Sequence, residues 1–203
     1  MILLDRDSPA LQGHKAQLRQ KMRATRDALD ERAARMAARS FCEQVQRAPW
    51  ARQVSRVAAY EALGRELCVR PLLAWWMQQG VEVALPRVVG KGQMVFVACQ
   101  EPLDAALHPG KWGLREPLGE PVALESIDLI LVPGTAFDRH GGRLGMGGGF
   151  YDRALAMRRV STPRAIYLGV GYHFQLLEGW LPMATYDQRV DLVCTPEELV
   201  WCG

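Results

Sequence analysis

A glycine-rich segment, GGRLGMGGGFYDRAL at residues 141–155, contains residue types that could bind an anion. Six of its first nine residues are glycine, and Arg143 and Asp152 lie towards its two ends. A glycine costs about 0.5–1 kcal/mol relative to alanine in a regular element, and a flexible surface loop is the simplest interpretation. The alternative is a backbone that directs several N–H groups at a phosphate, with the planar Arg143 guanidinium as a further donor.

Asp152 follows the glycines, in what the sequence predicts to be the first turn of a helix. A carboxylate at that position could simply interact with the helix dipole. Next to a phosphate, however, a carboxylate needs a cation in between, and Mg²⁺ typically takes one or two carboxylates together with phosphate oxygens. Asp152 is therefore a candidate magnesium ligand, and Asp187 and Asp191 are the candidates for a second one.

Helical spacing also groups four basic side chains near the N-terminus. Residues 10–29 are predicted to form a helix whose apolar face carries Leu18, Met22, Thr25 and Leu29. The same spacing puts a basic stripe on an adjacent face, made of Lys15, Arg19, Arg23 and Arg26. Such a stripe is most often a solvated surface, and the alternative is an arm that closes over a polyphosphate.

Several familiar catalytic motifs are missing from the sequence. It contains no G-x-x-x-x-G-K-[ST], no G-x-S-x-G and no H-E-x-x-H, and Phe150 occupies the third position of an incomplete G-x-G-x-x-G. The four histidines have no metal-binding spacing and are interpreted as surface or loop residues: His14, His108, His140 and His173. A strand, a glycine-rich turn and a helix start remain as the predicted site.

The composition is that of an ordinary globular protein, with 203 residues of which 49% are hydrophobic and 23% charged. A formal charge of +3 is too small to predict nucleic-acid binding by itself, and it suits small anionic ligands. Five cysteines without a C-x-x-C pair favour a reducing compartment. No apolar run approaches the ~20 residues of a membrane span, so we expect a cytoplasmic protein without membrane contacts.

Apolar strands alternate with helices after residue 54, which predicts an α/β fold with a mostly parallel sheet. The predicted strands are 55–60, 81–86, 94–99, 127–133, 164–170 and 190–195. The predicted helices are 10–29, 31–47, 69–79 and 151–159, and 100–126 is expected to be irregular. Ligands of such sheets bind at the carboxyl ends of strands, where the glycine segment follows strand 127–133.

The stretch DLILVPGTAFDRHGGRLGMGGGFYDRAL at residues 128–155 resembles the signature of the 5-formyltetrahydrofolate cyclo-ligase family. Further similar blocks follow one another in the family's order: KAQLRQKMR at 15–23, YEALGRELCVRPLL at 60–73, VALPRV at 83–88, GLREP at 113–117 and YDQRVDLVCT at 186–195. The resemblance implies one domain over 1–203, with a helical arm at about 10–48 and an α/β core at about 54–200. It also implies a three-layer α/β/α Rossmann-like sandwich, as in CoA transferases and sugar-phosphate isomerases.

The implied reaction converts 5-formyltetrahydrofolate and ATP into 5,10-methenyltetrahydrofolate, ADP and phosphate, with Mg²⁺. Phosphorylation of the formyl oxygen would give an N5-iminium phosphate that N10 attacks, and no protein nucleophile is needed. The protein would act by positioning and by neutralising charge. The implied partners are these small molecules alone, and we expect a monomer.

The resemblance also assigns residues. Lys15 and Arg143 would act in catalysis, and Asp152 and Asp191 would hold magnesium. The ATP site would comprise Lys15, Arg19, Arg143, Leu144, Gly145, Met146, Gly147, Gly148, Gly149, Phe150 and Tyr151. The folate site would comprise Glu66, Trp112, Met146, Gly147, Gly148, Gly149 and Phe150.

Two other classes of protein are considered. A non-catalytic folate-binding relative should have lost Lys15, Arg143 or Asp152, and this chain keeps all three. An RNA-binding module is disfavoured because the charge is small and the basic stripe contains no interleaved aromatic residues.

Overall fold

A computed structural model describes residues 9–90, 92–100, 102–110, 113–161 and 165–202, with the backbone alone for 157–161. Two helices come first, α1 (Pro9–Asp27) and α2 (Glu31–Arg47). Asp30 caps α2, since its carboxylate accepts a hydrogen bond from the Ala33 amide at 2.7 Å. Both helices match the predicted ranges closely. No helix within the described ranges is long and apolar enough to span a membrane.

The central sheet has seven strands. Along the chain these are β1 (Arg56–Ala58), β2 (Glu82–Gly90), β3 (Gln93–Cys99), β6 (Leu129–Pro133), β9 (Ile166–Val170), β11 (Leu192–Cys194) and β12 (Leu199–Trp201). Their order in the sheet is β12-β11-β9-β6-β1-β2-β3. The pairs from β11 to β2 are parallel, and the two edge strands β3 and β12 are antiparallel to their neighbours. The predicted mostly parallel sheet is confirmed.

Helices cover both faces of this sheet and complete three layers. Alternate residues of β6 point to opposite sides, so Leu129 and Leu131 pack with α2 and α3 (Arg70–Gln78), and Ile130 packs on the other face with α5 (Phe150–Ser161). Trp76 of α3 is fully buried, and its indole N–H donates to the Ala51 carbonyl at 2.9 Å. This α/β/α architecture agrees with the predicted fold class.

The stretch 100–126 is more regular than predicted. It contains a short helix α4 (Leu103–Ala106), the two strands β4 (Leu107–Pro109) and β5 (Arg115–Pro117), and a 3-10 turn at Leu124–Ser126. The strands pair antiparallel across residues 110–114. Asp104 accepts hydrogen bonds from Arg70 and Arg115, both at 2.7 Å, and so ties this hairpin to α3. Strands of three residues are too short to show an alternating pattern in sequence.

A second, three-stranded sheet carries the glycine segment. It consists of β7 (Ala136–Asp138), β8 (Arg143–Leu144) and β10 (Leu176–Leu177). Asp138 is fully buried at the turn between β7 and β8, and its carboxylate accepts from the amides of His140, Gly142 and Leu181 at 2.8–2.9 Å. Three backbone donors to one buried carboxylate hold this turn in place.

Candidate active site

The strand order of the sheet has its topological switch point between the parallel strands β1 and β6. From β1 it continues to β2 and β3 on one side, and from β6 it continues to β9 and β11 on the other. In open α/β sheets the crevice outside the carboxyl ends at such a switch point is the usual ligand site. Tyr60 and Glu61 come shortly after β1, Pro133 is the last residue of β6, and Gly134 follows it. All four residues line one cleft. The fold therefore positions the cleft where the sequence predicted it.

The walls of this cleft differ in character. One wall is apolar and is formed by Pro86, Val88, Met94, Leu114 and Phe150. The rest of the lining includes polar and charged side chains, among them Glu66, Arg143, Tyr151 and Asp152. The glycine segment forms the edge through Gly145, Met146, Gly148 and Gly149. A flat apolar surface next to charged groups suits a ligand with both a ring system and phosphates.

Two ion pairs form the charged part of the site. Arg143 donates from Nη2 to Oδ1 of Asp152 at 2.6 Å, and Lys15 Nζ pairs with Oδ2 of Asp187. The side chains of Lys15 and Arg143 are only 4% and 3% exposed. The Arg143 Nε is buried and has no hydrogen-bond partner among the described residues, so the guanidinium retains a donor for a ligand.

Helix α1 brings its cations to this cluster. Leu11, Lys15, Arg19, Met22 and Arg26 fall within about 80° of arc at ~100° per residue. Four of them are buried, and Arg19 donates from Nε to the Gly145 carbonyl at 2.8 Å. The predicted basic stripe is therefore largely the inner face of the helix.

The predicted apolar face of α1 was wrong in part, because Thr25 is exposed and Leu18 and Leu29 are only half-buried. The carboxylates of Asp187 and Glu66 draw Lys15 and Arg26 inward. Arg23, on the border of that face, is exposed.

The two candidates for a second magnesium ligand lie in different surroundings. Gln188 donates its backbone N–H to Asp152 Oδ1 at 3.1 Å, which puts the adjacent Asp187 beside Asp152. Asp191 instead precedes β11, where Oδ2 accepts from the Tyr167 amide at 2.8 Å near the amino end of β9. It does not line the cleft that Asp152 lines. Neither carboxylate lines the cleft itself, and Asp187 is the one that directly precedes the residue hydrogen-bonded to Asp152.

Glu66 and Tyr151 are the polar groups of the inner cleft. Burial raises the pKa of Glu66, and the Leu63 amide, which donates to Oε2 at 3.0 Å, acts in the opposite direction. The Tyr151 hydroxyl is buried without a hydrogen-bond partner in the described part of the chain, and burial raises its pKa as well. Tyr151 is therefore a neutral donor that faces the cleft.

The remaining predicted residues are Leu144, Gly147 and Trp112. Leu144 is buried in β8, beneath α1, and packs there with Met22, Ala136 and Leu181. Gly147 has a φ of 106° and lies beside Arg19, and it does not line the cleft although its neighbours Met146 and Gly148 do. Trp112 lies outside the described residues.

Some residues of the cleft were not predicted from the sequence. Tyr60, Glu61, Arg115 and Glu116 all line it. Tyr60 is the last residue of the predicted strand 55–60 and Glu61 follows it, so the rule that ligands bind at carboxyl ends could have identified both. Arg115 and Glu116 belong to the hairpin that the sequence did not predict.

Four of the five cysteines are poor nucleophiles. Burial raises the pKa of Cys42, Cys99 and Cys202 to about 11 and that of Cys194 to about 12. A thiol with such a pKa is almost entirely protonated at neutral pH and is a weak nucleophile. This agrees with a mechanism in which substrate atoms, and not a protein side chain, form the covalent intermediate.

The fold and the cleft define an α/β/α protein with a crevice suited to a ring-containing, phosphorylated ligand. The model of the 5-formyltetrahydrofolate cyclo-ligase family matches residues 11–196. The chain belongs to that family.

Similar proteins include enzymes from yeast and bacteria. The chain is 31% identical to a probable 5-formyltetrahydrofolate cyclo-ligase of Schizosaccharomyces pombe, over 79% of this chain and 84% of the relative. It is also 31% identical to the 5-formyltetrahydrofolate cyclo-ligase of Escherichia coli, over 71% and 79%. The structure of Aquifex aeolicus 5,10-methenyltetrahydrofolate synthetase superposes with a TM-score of 0.80 at 32% identity, covering 93% of this chain and 92% of that one.

Proposed function

We propose that the protein cyclises 5-formyltetrahydrofolate to 5,10-methenyltetrahydrofolate, with ATP as the co-substrate and with release of ADP and phosphate. Membership of the cyclo-ligase family supports the reaction. The observation that supports the site is the cleft at the switch point, which is lined by apolar side chains and by the Arg143–Asp152 pair. The Lys15–Asp187 pair lies next to it, since the Gln188 amide that follows Asp187 donates to Asp152.

The need for ATP follows from the chemistry of the substrate. The formyl group on N5 is an amide, so its carbon is a poor electrophile and its oxygen a poor leaving group. The formyl oxygen attacks the γ-phosphorus and ADP departs, which leaves an N5-iminium phosphate. The N10 lone pair then attacks the iminium carbon and N10 loses its proton. Phosphate leaves with the electrons of its C–O bond, and the N5–CH–N10 cation results.

The protein's part in these steps is to position the substrates and to stabilise charge. Lys15, Arg19 and Arg143 bind phosphate oxygens, because their cationic groups converge on the glycine segment from α1 and β8. The segment from Gly145 to Gly149 brings the backbone close to the nucleotide, since no side chain other than that of Met146 intervenes. Negative charge that develops during phosphoryl transfer then meets fixed cations.

Two carboxylates in this cluster fit a magnesium ion. Asp152 and Asp187 are neighbours through the Gln188 amide, and Mg²⁺ usually takes one or two carboxylates and completes its shell with substrate phosphates and water. No group of three or more metal-binding side chains is found in the described ranges, which fits an ion that arrives with a phosphate. When bound, magnesium would neutralise phosphate charge. We assign Asp187 to this role in place of Asp191.

The folate ring system occupies the apolar side of the cleft. Phe150 and Met146 provide surfaces for flat rings, and Glu66 provides a carboxylate at the inner end. Gly147, Gly148 and Gly149 stay assigned to both substrates, and Trp112 remains a prediction from the family resemblance. That the protein acts as a monomer also stays a prediction. A cytoplasmic location also stays a prediction.

The first experiment follows the near-ultraviolet absorbance of the methenyl product. Purified protein is mixed with 5-formyltetrahydrofolate, ATP and Mg²⁺, and ATP is omitted in the control. Growth of the product band only with ATP is the expected result. A flat trace from protein that circular dichroism shows to be folded would contradict the proposed function and would favour a folate-binding protein.

A further inference from the structure

A buried arginine lies directly behind the carboxylate at the inner end of the cleft. Arg26, in the last turn of α1, has a side chain that is 8% exposed, and its Nη1 lies 3.8 Å from Oε1 of Glu66. Its Nε is buried and has no hydrogen-bond partner within the described part of the chain. A buried guanidinium with one long ion pair and an unsatisfied donor is costly, which calls for an explanation beyond folding stability.

Arg26 cannot act on a ligand directly. It does not line the main cleft, whereas Glu66 does. The small space around Arg26 is bounded by Tyr60, Leu67, Gly134 and Gln175 among others and has no room for a ligand atom. Glu66 is both the ion-pair partner of Arg26 and a residue of the cleft, so the charge of Arg26 would act on the substrate through Glu66.

The surroundings of Glu66 make its ionised form expensive. Its side chain is 9% exposed, and burial raises its pKa. The Leu63 amide and Arg26 are the groups that favour the carboxylate. The other titratable groups around it are Tyr60, Tyr151 and Tyr172, whose pKa values are themselves raised by burial, so they are neutral at physiological pH. Arg65 and Cys68 act on Tyr172 at the outer side of this group.

The ring of a reduced folate requires an ionised acceptor at such a position. Its 2-amino-4-oxo-pyrimidine edge presents adjacent N–H donors, which a carboxylate can accept as a pair and a neutral carboxylic acid cannot. We propose that Arg26 is a positioning residue that holds Glu66 ionised and directed into the cleft, so that Glu66 accepts these N–H groups. This inference rests on the proposed function, because it takes 5-formyltetrahydrofolate as the ligand.

Four variants and one control test the inference. Arg26→Gln removes the charge, Arg26→Lys keeps it, Glu66→Gln removes the acceptor charge, and the double variant combines Arg26→Gln with Glu66→Gln. The matched control is Arg23→Gln, because Arg23 is exposed on the same helix. Steady-state kinetics give kcat and the KM for each substrate from mildly acidic to mildly alkaline pH. Fluorescence titration without ATP gives the affinity for 5-formyltetrahydrofolate independently of turnover.

Arg26→Gln is expected to raise the KM for 5-formyltetrahydrofolate about tenfold, because the charge-assisted hydrogen bonds from the folate ring to Glu66 are weakened. The kcat and the KM for ATP should stay within about twofold of wild type, since the nucleotide site is untouched. The increase in KM should grow as the pH falls, because Glu66 without its cation takes up a proton at higher pH. Arg26→Lys should restore most of the affinity, and Arg23→Gln should match wild type.

The double variant separates this role from general destabilisation. If Arg26 acts through Glu66, then Arg26→Gln adds little to the folate affinity lost in Glu66→Gln. Equal effects of Arg26→Gln in both backgrounds would overturn the proposal, as would a lower kcat at unchanged folate affinity. If Arg26→Gln does not fold, Arg26→Met, which removes the charge and keeps an apolar stem, takes its place in the same comparisons. A wild-type protein that binds folate but forms no product would refute the proposed reaction alone.

Discussion

At the residue scale, the charges of the cleft are held in pairs. Lys15 with Asp187 and Arg143 with Asp152 are both largely shielded from water. Removal of one partner from a shielded pair leaves the other uncompensated, which is more costly than loss of an exposed pair. A substitution at any of these four positions therefore needs a measurement of stability beside the measurement of rate.

Lys15→Ala is expected to lower turnover about 100-fold or more, because a preorganised cation at developing charge contributes roughly 2.7–4 kcal/mol. The variant should still fold, since Asp187 keeps the hydrogen bond from the Ala184 amide at 2.7 Å. Lys21→Ala, an exposed position of the same helix, is the matched control and should retain the wild-type rate. Wild-type turnover in folded Lys15→Ala would remove Lys15 from the phosphate site.

The magnesium ligands can be distinguished by titration. Asp152→Asn and Asp187→Asn are each expected to raise the Mg²⁺ concentration for half-maximal rate about tenfold or more. Asp191→Asn should leave that concentration unchanged, because its carboxylate accepts from Tyr167 away from the cleft. The rate is measured at fixed ATP with increasing Mg²⁺. A shift in Asp191→Asn with none in Asp187→Asn would restore the assignment made from the sequence.

At the element scale, the glycine segment depends on a turn that admits no side chain. Gly141 has a φ of 80°, and a Cβ there would lie 2.3 Å from the Val190 carbonyl oxygen. Its own carbonyl accepts from the Val190 amide at 2.9 Å. The turn between β7 and β8 is therefore packed against the chain that leads into β11.

Gly141→Ala is expected to destabilise the fold by about 2 kcal/mol or more, because backbone strain and the clash with Val190 add up. Gly13→Ala is the opposite case. Gly13 lies in α1 with open space around its Cα, and alanine there should stabilise by about 0.5–1 kcal/mol. Urea unfolding of both variants measures the two free energies. Equal free energies of unfolding for Gly141→Ala and the wild type would show that residue 141 can move away from Val190.

The helices and the long strands could be predicted because their signals are local. For α2 the capping Asp30 and the later Pro49 mark both ends, and the observed range agrees with the predicted 31–47. The strands β7, β8, β10 and β12 have only two or three residues each, which is too few to show alternation. Their pairing depends on contacts made far along the chain.

Residues of the site could be predicted where they belong to a sequence motif. The cleft is lined by most of the glycine segment from Gly145 to Gly149, and by Asp152 and Glu66. The inward position of Arg26 was not predictable, because helical spacing gives the angles between side chains but not the face that turns inward. That face is decided by Glu66 and Asp187, which approach α1 only in the folded protein.

At the scale of the whole molecule, one arginine joins the small sheet to the edge of the large one. Arg139, just after β7, pairs with Glu178 after β10 and with Glu198 before β12, at 2.9–3.0 Å. Hydrogen bonds from Arg139 lower the pKa of Glu198. A carboxylate with a lowered pKa stabilises the fold above its ordinary pKa of 4.5, and that stability is lost as the pH falls through the lowered value.

Arg139→Gln is therefore expected to lower the Tm by about 2 °C at neutral pH. The difference from wild type should shrink as the pH falls below 4.5 and should vanish once Glu198 is protonated in both proteins. Scanning calorimetry over this pH range measures it. Arg35→Gln, which breaks an exposed pair with Glu31 within α2, serves as the control and should change the Tm by less than about 1 °C. A deficit independent of pH would argue against the ionic link.

The two ion pairs of the cleft have a consequence for how the nucleotide and the metal enter. In the structure Lys15 and Arg143, two of the three cations assigned to phosphate, each already pair with a carboxylate assigned to magnesium. ATP alone would displace both carboxylates and leave them without a cation, and the metal alone would leave both cations without a carboxylate. Together they exchange partners with the two pairs, so each raises the affinity for the other by an equal factor. On the proposed assignment, we therefore expect the site to take metal and nucleotide together as a single ligand, with heterotropic linkage between them already present in its ground state.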